Sequence, residues 1–298
     1  MSNYVDDCNG EDIGGELADR DFYSNPDNLY SEKKSNHSCK PIQTVLTEET
    51  YFSQEAEAKY IGHSQFVAFQ RCESAALASI RGELVEESST ALLVGSYVDA
   101  YFSDTLALFK AKHPELYKRD GSLKSDYVQA EQIIQRIERD AEMMKYLSGQ
   151  HQVIMTGKIE GVPVKIKMDS FHPGLCICDG KVMKDFAPVW VDGLGKLPFV
   201  EAWGYDIQAF FYQEIVRQNT GDRLPFIIAG ATKQKVTRIE KIGIPQDAID
   251  AAGELVRRDI GRYAAIKAGE IEPERCERCD YCADTYETHG VVDYREVG

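Results

Sequence analysis

The chain has 298 residues, 43% hydrophobic and 28% charged, the composition of a soluble globular protein with length enough for a buried core. No run approaches the about 18 apolar residues of a membrane span, and the opening MSNYVDDCNGED lacks the basic and apolar regions of a secretory signal. A cytoplasmic protein is expected, whose eight cysteines are thiols or metal ligands rather than a disulfide framework.

The net charge of −15 argues against a basic coat for non-specific nucleic-acid binding. The excess is uneven, because residues 1–60 hold 13 acids and 5 Lys/Arg. Carboxylates gathered as metal ligands would add to the same total while their ions neutralise them, so a DNA substrate stays open.

Residues 1–45 are acidic and rich in Asn, Ser, Asp and Gly, with no sustained apolar period; they read as a loosely held tail. A single domain is expected over 46–298. Ser64 reads as the N-cap of a helix over Gln65–Ile80, with Phe66, Phe69, Ala76, Leu77 and Ile80 as its apolar stripe. Cys72 on that helix reads, taken alone, as a small buried hydrophobe.

Ser88–Ser103 is almost wholly apolar and predicts a helix buried on most sides. It carries one carboxylate, Asp99, which in an apolar interior must be paired, protonated or metal-bound, or else sits at a solvated edge. Gly95, one turn earlier, would let another segment approach. Tyr127–Leu147 predicts one long amphipathic helix, and sheet follows from about Gln152 to Phe186.

Lys165–Lys184 predicts two strands joined by His172-Pro173-Gly174. Side chains alternate along a strand, so Lys165, Lys167 and Asp169 share a face, as do Asp179 and Lys181; Cys176 and Cys178 lie opposite the latter pair and read as core. Two carboxylates and an ammonium in one small volume suit metal-assisted phosphodiester cleavage, although Asp, Gly and Lys also serve a solvated hairpin.

A helix beginning near Val200 aligns Glu201, Tyr205, Gln208 and Tyr212 at spacings of four, three and four, a hydrogen-bonding wall for a phosphate or a lysine. The same tyrosines could be half-buried packing residues. Phe226–Gln234 and Lys235–Ile242 predict a strand pair, and Gln246–Gly269 a closing helix.

Near the end, within the Cys-rich segment 273–285, stand Cys276, Cys279 and Cys282. Three thiols at two-residue gaps read as a metal or iron–sulfur site. The fourth ligand would be Cys72, with Cys178 or Cys176 behind it. The run points to [4Fe–4S], with Zn²⁺ as the alternative.

Taken together, these motifs resemble the PD-(D/E)XK nuclease superfamily, and most closely the RecB/RecE-like exonuclease group found in phages and prophages. The resemblance covers roughly residues 47–285 in one order. Gly95-x-x-x-Asp99 stands at the early G-x-x-x-H motif, Asp169 at the lone strand aspartate, Asp179-Gly180-Lys181 at (D/E)-x-K, and Gln208-x-x-x-Tyr212 at Q-x-x-x-Y. Cys72 with Cys276, Cys279 and Cys282 follows the order of the cluster-bearing nucleases. Two departures stand out: Asp99 replaces the common His, and the final cysteine gap is shorter than in those nucleases.

The resemblance implies an α/β restriction-endonuclease-like core, a central mixed β-sheet flanked by helices, with a C-terminal cysteine-bound segment. It implies a Mg²⁺- or Mn²⁺-dependent DNA exonuclease in phage recombination or repair. Asp99, Asp169, Asp179 and the Gly180 carbonyl would hold one or two ions. Lys181 would act on the attacking water, and Gln208 and Tyr212 would hold the phosphate or Lys181. DNA is the implied partner, together with a single-strand annealing protein of the same recombination system; an oligomer is left open. Two other readings stand beside it: a non-catalytic DNA- or protein-binding module keeping the fold, and an iron–sulfur or zinc regulatory protein.

Overall fold

The computed structural model describes residues 46–84, 89–191, 193–288, 290, 291, 293 and 295; the tail expected over 1–45 lies outside them. Helices come first: α1 Glu48–Tyr51, α2 Gln54–Lys59, α3 His63–Arg71, α4 Glu73–Arg81, α5 Thr90–Phe102, α6 Leu106–Lys112, α7 Ser125–Glu138 and α8 Ala141–Leu147. The strands β1 Gln150–Ile159, β2 Val162–His172 and β3 Cys176–Met183 follow, then a small hairpin of β4 Val189–Val191 and β5 Gly195–Leu197. Last come α9 Phe199–Ala202, α10 Tyr205–Thr220, β6 Phe226–Thr232, β7 Ile239–Gly243, α11 Gln246–Ala268 and α12 Asp280–Asp284.

The main sheet runs β1-β2-β3-β6-β7. Only the β3–β6 pair is parallel, which requires the chain to cross over through α9 and α10 before β6. The sheet is therefore mixed and flanked by helices. α10 packs on β1 and β2 and carries α11 on its other side, while α5 and α8 pack against β3. Val164, Ile166 and Met168 of β2 join Phe211 and Ile215 of α10 and Val256 and Ile260 of α11 in one core, each 0% exposed. Cys176 and Cys178 are buried in the sheet as expected, and burial pushes the Cys176 thiol up to about 12.

Three helices that read as continuous are broken, each for a local reason. The helix predicted over 65–80 starts at His63 after Gly62 and divides at Cys72, whose backbone is extended (φ −163°, ψ 112°). The helix predicted over 127–147 divides before Asp140, whose carboxylate accepts the Met143 N–H at 3.0 Å as a new N-cap. The helix expected near Val200 divides at Gly204, which takes the left-handed conformation (φ +70°) that glycine adopts without Cβ strain.

The lysine-bearing face of β2 is not open to solvent. Lys165 is 3% exposed and donates to the Tyr51 carbonyl and to Glu57 at 2.5 and 2.7 Å, so α1 and α2 are strapped across the strand. Lys267 of α11 reinforces the strap by donating to the carbonyls of Glu57 and Tyr60, both at 2.7 Å.

Candidate active site

The hairpin of β2 and β3 does not pair along its whole length. Antiparallel pairing covers His172↔Cys176, Phe171↔Ile177 and Ser170↔Cys178 and stops there, while β3 stays paired with β6 through Met183. At this parting Asp169 Oδ2 accepts the Gly180 N–H at 3.0 Å, so a side chain takes over a bond that β2 no longer makes. The splay opens a cavity lined by Gly95, Asp99, His151, Asp169, Gly180 and Lys181, among others. Among the described residues, a Cβ at Gly95 would meet nothing within 4 Å, so the close approach of a second segment expected from the sequence is not found among them.

Asp179 is 1% exposed. Its Oδ1 accepts from Gln208 Nε2 at 2.6 Å, and its Oδ2 forms an ion pair with Lys181 Nζ. Burial, then the charges of Asp179 and Asp99, raise the Asp169 carboxyl well above the usual range. Burial and Asp179 likewise raise Asp99 on α5. Burial alone would lower the Lys181 ammonium, but Asp179 and Asp169 outweigh it and hold the lysine above its ordinary value. Three carboxylates thus feel one another, with the Lys181 and Lys167 ammoniums acting on Asp99 in the opposite sense.

The polar line on α10 reaches this centre at three points. Tyr205 places its ring 5.3 Å from Lys181 Nζ, Gln208 meets Asp179, and Tyr212 donates to the Lys167 carbonyl at 2.7 Å. The side chain against Lys181 is therefore Tyr205, and Glu201 falls on the separate short helix α9. The sequence pattern located the line; only the fold assigns each member its partner.

The donor set suits a hard divalent cation. Among the described residues, Gln152 Nε2 and Gln208 Oε1 are buried without a hydrogen-bond partner, while Asp179 Oδ2 is held by Lys181. Buried polar atoms are seldom left without a partner, and Gln208 meets Asp179 at the centre of the site. Gln152 faces Asp169 across the ladder, between the pairs His151↔Ser170 and Val153↔Met168, and holds a left-handed φ of +55° that is uncommon away from glycine. The carboxylates are not yet gathered as a ligand cage. Among the described residues, the cysteines alone bring three or more ligand atoms within 4.8 Å of one another.

Two histidines went unnoticed in the sequence. His151 lines the cavity, its Nδ1 3.2 Å from the Asp169 carbonyl. His63, the first residue of α3, stands 6.1 Å edge-to-face from Tyr212. Burial and then the Lys181 charge push its imidazole down to about 3. No spacing ties either histidine to the motifs, because both arrive from other elements of the fold.

The second constellation is Cys72, Cys276, Cys279 and Cys282, whose sulfurs lie within 4.8 Å of one another. Cys72 is thus the fourth member, and Cys176 and Cys178 stay in the core.

A splayed hairpin bearing Asp and Asp-x-Lys, on a mixed sheet backed by a helix with Gln and Tyr, defines a PD-(D/E)XK-like domain. The chain belongs to the family described as PDDEXK-like domain of unknown function (DUF3799), whose model matches residues 62–285. The crystal structure of a candidate exonuclease from Eubacterium rectale is 47% identical, with a TM-score of 0.80, covering 84% of this chain and 97% of that one. The structure of SSO0001 is 11% identical over 67% of this chain and 85% of that one, with a TM-score of 0.26, too low to inform the fold. No curated protein matches. Among the described residues no helix is long and apolar enough to cross a membrane.

Proposed function

We propose that the chain is a Mg²⁺- or Mn²⁺-dependent deoxyribonuclease that digests DNA from its ends, in phage recombination or repair. The observation that carries this reading is the convergence of Asp99, Asp169 and Lys181 on one cavity at the parting of β2 and β3, with the charge of Asp179 acting on both aspartates. It is supported by kinship with a candidate exonuclease at 47% identity. The domain proposed to carry the activity spans 46–298, with a single-strand annealing protein as its partner in the same process.

Asp99, Asp169, Asp179 and the Gly180 carbonyl would hold one or two ions, which supply Lewis-acid polarisation of the phosphate and a more acidic water. The chain's own residues do the rest. Lys181, kept charged by Asp179 and Asp169, orients the attacking water and stabilises charge growing on the phosphate during in-line displacement. Gln208 holds Asp179 through Oδ1, and Lys181 holds it through Oδ2. Tyr205 limits the positions open to Lys181, and Tyr212 anchors α10 to β2.

The test is digestion of end-labelled linear and circular DNA with each divalent ion. Loss of label from linear DNA only, abolished in Asp179→Ala and Lys181→Ala, is expected. Equal digestion by wild type and both variants sinks the assignment. Binding of DNA ends without cleavage under either ion would favour the non-catalytic module instead.

A further inference from the structure

The kinship of fold and cysteine order implies a [4Fe–4S] cluster at Cys72, Cys276, Cys279 and Cys282, but the spacing of the sulfurs does not fit one. In such a cluster each thiolate bonds a different iron, so its own width separates the cysteine sulfurs by roughly 6 Å or more. Around one tetrahedral ion, bonds of about 2.3 Å set the sulfurs about 3.8 Å apart. Here Cys72 and Cys282 lie 3.6 Å apart and Cys276 and Cys282 3.9 Å apart, and no pair exceeds 4.8 Å. We propose that the four cysteines hold a single tetrahedral ion, zinc, and not an iron–sulfur cluster.

The surrounding backbone holds the two cysteine-bearing segments side by side. Cys72 sits at the extended break between α3 and α4, and the C-terminal segment is tied to the residues just after it. Ser74 N–H donates to the Glu274 carbonyl at 3.1 Å, and Glu274 N–H donates to Glu73 Oε2 at 2.7 Å. Arg262 of α11 grips the same Glu73 carboxylate at 2.7 and 2.8 Å.

The local turn also suits thiolates around one ion. Glu277 adopts φ +57°, the backbone N–H groups of Arg278 and Cys279 turn onto Cys276 Sγ, and that of Cys282 onto Cys279 Sγ. This turn gathers the sulfurs across the short two-residue gaps of C-x-x-C-x-x-C. Arg275 then closes the loop by donating to the Cys282 carbonyl at 2.7 Å.

The test is metal and sulfide analysis of the full chain purified without oxygen. About one zinc per chain, no acid-labile sulfide and no colour is the expected result. Growth on Co²⁺ should give the intense visible bands of a tetrahedral tetrathiolate site, and Cys279→Ser, whose side chain is only partly buried, should weaken or lose them. Iron with matching sulfide and a brown chromophore overturns the proposal, as does a purified protein with no metal and no Co²⁺ spectrum. Because these readouts are independent of cleavage, their failure is distinguishable from failure of the nuclease reading.

Discussion

At the scale of single residues, Asp179 organises the centre, and its neighbours divide its two oxygens between them. Gln208 donates to one of them at 2.6 Å. Replacing Gln208 with Ala removes a hydrogen bond to a buried charge, a loss of about 1.5–3 kcal/mol, and frees the carboxylate to rotate. Urea unfolding should register the first effect and a cleavage assay the second. Lys181→Ala leaves Asp179 buried without its cation, so cleavage should fall roughly 100-fold or more while DNA binding persists. His63 gives a pH signature. Its folded value is about 3 against 6.5 when exposed, so below pH 6.5 the unfolded chain takes up a proton that the folded chain refuses. Stability is therefore lost as pH falls from about 6.5 towards 3. In His63→Asn the fall between pH 7 and 5 should be shallower in denaturant midpoints taken with a chelator present.

Among the elements, α10 has the strictest entry. Gly204 bears φ +70°, and a Cβ there would lie 2.9 Å from Val67 Cγ2. Gly204→Ala combines left-handed strain of about 1–2 kcal/mol with a clash against α3, so its melting point should drop. Cleavage should fall further than stability, because the start of α10 aims Tyr205 and Gln208. Gly253 of α11 has a different role: a Cβ there would sit 2.6 Å from the Phe210 ring. Gly253→Ala should cost about 1–3 kcal/mol by overpacking and leave the kinetics of the surviving folded fraction unchanged, which active-site titration would show. The helix breaks at Cys72 and Asp140 belong to this scale too. Helical periodicity persists across both, and the interruption comes from tertiary partners or a competing cap that periodicity does not register.

At the scale of the molecule, the −15 charge and the crowded carboxylates make divalent ions part of the expected stability as well as the chemistry. An ion bound only by the folded chain at about 100 times its Kd adds about 2.7 kcal/mol. Thermal melts in Mn²⁺ should therefore shift upward in wild type and hardly at all in Asp169→Asn. No shift in wild type would count against a carboxylate-held ion. The cysteine seam acts over a long span, joining α4 to α11 and the segment beyond it. A chelator strong enough to strip it should loosen this seam and expose the region around Cys276–Cys282 to protease.

The sequence by itself determined the chemistry-bearing residues and their order. Asp169, Asp179 and Lys181 follow from strand alternation, Gln208 and Tyr212 from helical spacing, and the cysteine trio from its gaps. Those are local properties, set by backbone periods that a linear text carries. Only the tertiary structure decided that β2 and β3 part at Ser170↔Cys178, that Tyr205 rather than Gln208 faces Lys181, and that His63 stands 6.1 Å from Tyr212. It also brought Cys72 across to Cys282 at 3.6 Å. Such contacts depend on where separate elements come to rest, and that is set by the burial of the shared core rather than by any spacing along the chain.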